Sequence, residues 1–136
     1  MSHLTTFKNE ALKNTNKEML KKSIEEIDGL TLDFNRKTVV NTWINESVDA
    51  GINYNGKEIA VGLRFSTDDN GDEVCTVAGD FYGTGLRQED LTNKIAQVYT
   101  KNNIIDKCSQ ANWYLEEGSL TTDEEGNIVM EFFQYA

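Results

Sequence analysis

The sequence predicts an α+β fold, with one twisted, mostly antiparallel sheet and two main helices packed on one of its faces. Three observations lead there. Two segments, one near residues 15–28 and one running on from Leu86, place apolar residues at the three- and four-residue spacing of an amphipathic helix. Around them lie short runs in which apolar and polar residues alternate, the period of a half-buried strand. Those runs are joined by turns of Asn, Asp and Gly, and such tight connections bring antiparallel neighbours together. Proline is absent from all 136 residues, so the turns rest on Gly, Asn and Asp.

Taken in order, His3 to Phe7 is a short β-rich run and the first expected strand. The polar segment Lys8 to Asn14 leads to the first helix. Thr15 and Glu18 have the spacing of a capping box, in which the hydroxyl and the carboxylate each serve an orphan backbone amide. Met19, Leu20, Ser23, Ile24 and Ile27 then fall on one stripe, and Gly29 follows as a left-handed terminating residue. Leu30 to Phe34 alternates as a strand. Asn35-Arg36-Lys37 turns the chain into Thr38-Val39-Val40, a second short strand. From Asn41 to Ala50 the pattern is irregular, with Trp43 and Ile44 the large apolar residues in a polar stretch, and it reads as a loop or a strand edge.

Ile52-Asn53-Tyr54 and Glu58 to Phe65 flank Asn55-Gly56, the dipeptide best suited to a type I′ hairpin because both centres need positive φ. In the second of these strands Ile59, Val61, Leu63 and Phe65 share the inward face. Asp68-Asp69-Asn70-Gly71-Asp72 makes a further turn into a strand from Glu73 to Asp80. Its acids are adjacent rather than alternating, and the twelfth position from Asp68 is Gly79, so it is a turn and not a calcium loop. The longest helix follows, with Leu91, Ile95, Val98, Asn102, Ile105 and Cys108 on one stripe that Tyr99 and Ile104 widen. Two strands, Trp113 to Leu120 and Asn127 to Tyr135, close the chain around the turn Asp123-Glu124-Glu125-Gly126-Asn127. The order is β-α-β-β-β-β-β-α-β-β, a single domain over 1–136.

Composition excludes several classes of function. Thirteen Lys and Arg stand against 23 Asp and Glu, a net charge of −10, which opposes the phosphate neutralisation that direct nucleic-acid binding needs. No apolar run approaches the length of a membrane span, and the N-terminus carries neither a basic nor an apolar signal region, so a cytoplasmic location is expected. Cys75 and Cys108 are expected as buried thiols rather than a disulfide, and two Cys with one His (His3) and no paired spacing make no structural zinc site. No phosphate loop, nucleophile elbow or paired-His metal helix occurs, and Gly79, Gly83 and Gly85 do not fit the dinucleotide fingerprint. The sequence therefore points to no catalytic residue, no cofactor and no metal. Trp43 and Trp113 are expected as core or edge-packing residues rather than base-stacking platforms.

The richest stretch is the strand end and turn that launch the long helix, Val77-Ala78-Gly79-Asp80-Phe81-Tyr82-Gly83-Thr84-Gly85-Leu86-Arg87-Gln88. Asp80, Tyr82, Gly83, Gly85, Arg87 and Gln88 are its candidate partner- or ligand-binding residues. A glycine-rich turn at a helix start offers free amides at the positive end of the helix, with Arg87 in the first turn to help hold an anion. The alternative is that Gly83 and Gly85 simply permit positive φ. Of Phe81 and Tyr82, one is expected in the core and the other in solvent.

The opening Met1-Ser2-His3-Leu4-Thr5-Thr6, the Asn55-Gly56 hairpin, the Val77 to Gly83 strand end, and Arg87-Gln88 ahead of a helix bearing Tyr99 resemble the conserved hypothetical plastid reading-frame-thirty-five family, a domain of unknown function. The resemblance extends over nearly the whole chain, and Gly79 stands between Ala78 and Asp80 where the family has the two adjacent. It implies a small cytosolic protein without established enzyme activity, encoded beside ATPases of the AAA type. Three functions follow as expectations. The first is a non-catalytic acidic interaction module, an accessory or adaptor subunit whose partner is a protein such as an AAA-type ATPase or a second copy of the chain. The others are a small-molecule or anion binder using the Gly79–Arg87 turn, and a phage-type inhibitor whose charge imitates nucleic acid.

Overall fold

The structure is a computed structural model that describes residues 2–7 and 12–134. Its elements follow in the order β1 (Ser2–Phe7), α1 (Lys17–Glu25), β2 (Leu30–Asp33), β3 (Thr38–Val40), β4 (Asn45–Ser47), β5 (Ala50–Tyr54), β6 (Lys57–Thr67), β7 (Glu73–Gly79), α2 (Gln88–Gln110), β8 (Trp113–Leu115), β9 (Thr121–Thr122) and β10 (Ile128–Gln134). The α+β class holds, and every strand pair among these elements is antiparallel.

The strands are shared among three hydrogen-bonded sheets rather than one continuous sheet. β2-β5-β6-β7 forms the first, β1-β10-β8 with β9 beside β10 the second, and the β3–β4 hairpin the third. Tight turns decide which neighbours pair but not which hairpins join. β1 pairs with β10, so the first strand is completed by the last, with Ser2 opposite Phe133 and Phe7 opposite Ile128. The expected Lys8 to Asn14 connection lies partly outside the described residues.

Both helices lie on one face of the first sheet. Leu20 and Ile24 of α1 and Leu91, Ile95 and Tyr99 of α2 form one cluster with Leu30, Leu32, Ile52, Val61, Leu63 and Val77 of the strands. Side chains buried this fully contribute roughly 2 kcal/mol each, so this cluster dominates the stability of the chain. The second half of α2 serves another core. Ile104, Ile105 and Cys108 pack against Ile128, Met130 and Phe132 of β10, with Trp113 and Leu115 of β8. One helix thus joins two sheets that share no strand.

α1 begins one residue later than the Thr15 capping box implies. Asn16 is the cap, and its Oδ1 accepts from the Met19 amide at 2.9 Å. The amide of Asn16 itself donates to the Tyr99 hydroxyl of α2 at 2.9 Å, so tertiary contact fixes where the helix starts. Farther along, Asn102 Nδ2 donates to Ser23 Oγ at 3.0 Å and to Glu26 Oε2 at 2.6 Å. Asn102 is buried on the apolar stripe because it has these partners on α1.

The Asn55-Gly56 hairpin has positive φ at both residues, +53° and +77°, as a type I′ turn demands. The two acidic turns are copies of one device. Asp68 Oδ1 accepts from the amides of Asn70 and Asp72, and Asp123 Oδ1 accepts from those of Glu125 and Asn127, all at 2.9–3.0 Å. Gly71 and Gly126 both sit at φ +82°. Two segments differ from expectation. The Asn41 to Ala50 stretch holds β4, paired to β3. β8 stops at Leu115, because Glu116 to Ser119 form a turn whose Ser119 Oγ accepts from the Glu131 amide at 3.1 Å.

Candidate functional site

β7 ends at Gly79, whose φ of +130° is a conformation that residues with a Cβ rarely adopt. A Cβ here would also drive into the Ala60 carbonyl oxygen and sit 2.8 Å from Val61 Cα. The next amide, that of Asp80, donates to Ala60 O at 2.8 Å, so the chain stays pinned to β6 while it turns. Asp80 then closes its own turn, its Oδ1 accepting from the Tyr82 amide at 3.0 Å. Thr84 continues the loop through bonds to Phe81 O at 2.7 Å and from the Leu86 amide at 3.0 Å. Phe81 packs against the main core and Tyr82 is 84% exposed. The division between the two aromatics is the one expected, although the strand has ended before them and the turn sets their directions.

A second loop meets this one. At the tip of the β3–β4 hairpin, Asn41 Oδ1 accepts from the amides of Trp43 and Ile44 at 2.8 and 2.9 Å. Its Nδ2 donates to Asp80 Oδ2 at 2.9 Å. One asparagine therefore folds the hairpin tip and ties it to the Asp80 turn. The hydrogen bond from Asn41 and then that from the Tyr82 amide hold the Asp80 carboxyl below its usual range. Trp43, two residues from Asn41, is 75% exposed, and Val40 is 58% exposed. Trp43 is thus not the core or edge-packing residue that its size suggests, because Asn41 folds the hairpin tip and ties it to the Asp80 turn with the indole left in solvent. Trp113 does pack, against the second core.

The six sequence candidates separate. Asp80 and Tyr82 join Asn41 and Trp43 at the loop junction. Gly83 and Gly85, at φ +75° and +78°, face open space and serve the backbone conformation. Arg87 is the α2 cap residue by backbone only, its exposed guanidinium 3.9 Å from Asp90. Gln88 turns back to the sheet and donates from Nε2 to Val77 O at 2.9 Å. Glu89 and Asp90 occupy the first turn of α2, where their charges already complement the helix dipole and oppose an incoming anion. Asn41, Val40 and Trp43 are not among the six sequence candidates, and Trp43 is expected from the sequence to pack rather than to bind. The signal for them was a tryptophan set in a polar stretch without apolar neighbours at strand or helix spacing.

Both cysteines are free thiols; Cys75 is buried and Cys108 half-buried. Among the described residues, no group of three or more His, Cys, Asp and Glu is placed to hold a metal ion. No described helix is long and apolar enough to cross a membrane. Compared with known proteins, the chain matches no family model, no curated protein and no solved structure.

Proposed function

We propose that the chain is a non-catalytic interaction module, an accessory or adaptor subunit, and that its partner protein docks on the surface bearing Trp43, Val40 and Tyr82. The observation that carries this reading is the Asn41–Asp80 hydrogen bond, which fixes two loops in one place while each holds a large aromatic in solvent. Trp and Tyr supply a rigid apolar body with a polar tip, and they are the residues that most often dominate binding energy at protein interfaces. The resemblance to the plastid family supports an AAA-type ATPase as the partner class. The net charge of −10 favours a partner with a basic face and an association that weakens with salt. The anion-binding reading of the Gly79–Arg87 turn has less support, because Glu89 and Asp90 stand beside Arg87. The charge-mimic reading keeps the acidity as its one support.

The test is affinity capture with tagged wild type and a Trp43→Ala/Tyr82→Ala variant at two salt concentrations, followed by size-exclusion chromatography. Wild type should retain a stoichiometric partner, or a second copy, that the variant holds at least about tenfold more weakly, the loss expected when two hot-spot aromatics are truncated. Both proteins should unfold at the same temperature, since neither ring is in the core. Equal capture by the two would remove this surface from the interface.

A further inference from the structure

The dipeptide Asn-Gly occurs at Asn55-Gly56 and at Asn70-Gly71, in both cases exposed at the tip of a hairpin. It carries a chemistry of its own. A glycine nitrogen has no side chain beside it, so it can attack the side-chain carbonyl carbon of the preceding asparagine and expel ammonia. The nitrogen must first shed its proton, and it must lie on the same side of the Cα–C bond as the asparagine Cβ. The two dipeptides are alike in sequence, and the fold makes them different. Asn55 has φ +53°, the left-handed region, where the following nitrogen stands on the far side of the bond from Cβ. Its amide donates to Gly29 O at 2.8 Å, and its Oδ1 rests over Gly29, where any Cβ would collide with it. Leaving this conformation undoes the type I′ turn between Tyr54 and Lys57. At the other tip the left-handed residue is Gly71, at φ +82°, and the φ of Asn70 is not positive. Asn70 is tied by its amide alone, to Asp68 Oδ1 at 2.9 Å, and its carboxamide bonds no described residue. One bond guards the attacking nitrogen, from Gly71 N–H to Asp68 O at 3.1 Å, and it lies in an exposed turn of the kind that opens at little cost.

We propose that Asn70 is a site of spontaneous deamidation in the folded chain, a chemical clock on the β6–β7 hairpin, and that the fold protects Asn55 from the same reaction. The Gly71 nitrogen gives its proton to hydroxide and bonds to Asn70 Cγ. The Cγ–Nδ2 bond then breaks, and Nδ2 takes a proton from water and leaves as ammonia, closing a succinimide ring. Water adds to either ring carbonyl and reopens the ring, leaving aspartate or isoaspartate at this position. The balance is one amide and one water converted to one acid and one ammonia, with nothing oxidised. Either product adds a negative charge to a turn that already holds Asp68, Asp69 and Asp72. In the isoaspartate product the main chain runs through Cγ and gains a methylene, which displaces the Asp72 amide from Asp68 Oδ1, now 2.9 Å away. The modified turn meets Leu12–Asn14 through Asn14 Nδ2, which donates to Asp72 Oδ1 at 3.0 Å. The inference rests on the two hairpin tips and is independent of Trp43 and Tyr82.

The test is to hold the full chain at mildly alkaline pH, digest samples over time, and follow the peptides bearing Asn55 and Asn70 by mass spectrometry. Isoaspartate is counted separately by enzymatic methyl transfer to its free α-carboxylate. In the folded chain Asn70 should convert at least about tenfold faster than Asn55, and in guanidinium the two rates should converge to within about threefold, because only the shared dipeptide then remains. Ion exchange of the intact protein should show a more acidic species growing with time, and Asn70→Gln, an exposed substitution, should remove most of it. An Asn70 that stays intact in the folded chain while it converts in guanidinium would overturn the proposal, because the Gly71–Asp68 bond would then suffice to protect it. Equal rates for Asn55 and Asn70 in the folded chain, or an acidic species that persists in Asn70→Gln, would overturn it as well.

Discussion

Burial pushes the thiol of Cys75 up from an ordinary value of 9.0 to about 12; Lys17 opposes the shift, and Glu73 and Asp49 add to it. The neutral thiol belongs to the folded state, so its contribution is complete below about pH 9 and is lost as pH rises toward about 12. Each pH unit in that window costs at most ~1.4 kcal/mol from this group. Urea unfolding at stepped alkaline pH should therefore give a steeper fall for wild type than for Cys75→Ala, whose curve lacks this titration. Parallel curves would show that the thiol does not titrate on unfolding. The three glycines of the 79–85 turn show how unevenly single residues are legible. In the sequence they look alike. In the structure Gly79 is required by a backbone collision as well as by its φ, while Gly83 and Gly85 look onto open space. That difference comes from Ala60 and Val61, about twenty positions earlier, which no local pattern reveals.

Among the elements, the β5–β6 pair depends most on a side chain that looked ordinary. Its register slips between Gly51 and Asn53, so some backbone groups lose their strand partners. Arg36, read in the sequence as one residue of a short turn, fills that gap. Its guanidinium donates to Ile59 O at 2.9 Å, to Ile52 O, and to Asn53 Oδ1 at 3.1 Å. It lies across Gly51, where any Cβ would meet its Nε. Arg36→Ala should cost about 2 kcal/mol in urea unfolding, since it strands part-buried carbonyls. Arg36→Lys should recover less than half of that, because one ammonium lacks the fork that spans the two strands. Full rescue by lysine would mean that charge alone matters. Strand positions, the Asn55-Gly56 hairpin and the apolar stripe of α2 were legible because they repeat at fixed local spacing. The slip, the role of Arg36 and the exposed place of Trp43 were not, since each depends on a pairing made across the chain.

At the scale of the whole molecule, α2 is the member that the two cores hold in common: its first half packs on β2-β5-β6-β7 and its second on β10 and β8. Helix formation is cooperative along α2, so loss of either core should unsettle the other. In a Trp43→Phe background, Trp113 fluorescence should report the second core, and far-ultraviolet circular dichroism should report the sheets and helices together. Their urea midpoints should coincide. An earlier fluorescence transition would show that the β1-β10-β8 sheet melts alone. The number of sheets could not be read from the turns, because β1 is joined to β10 across nearly the entire chain. That pairing has a consequence for the birth of the protein. On the ribosome β1 emerges before both helices and the strands β2 to β9, and its partner β10 is made only after them. The backbone of Ser2–Phe7 thus waits through the synthesis of every element between the two as an unpaired edge, exposed to any neighbouring nascent chain, until β10 arrives to claim it.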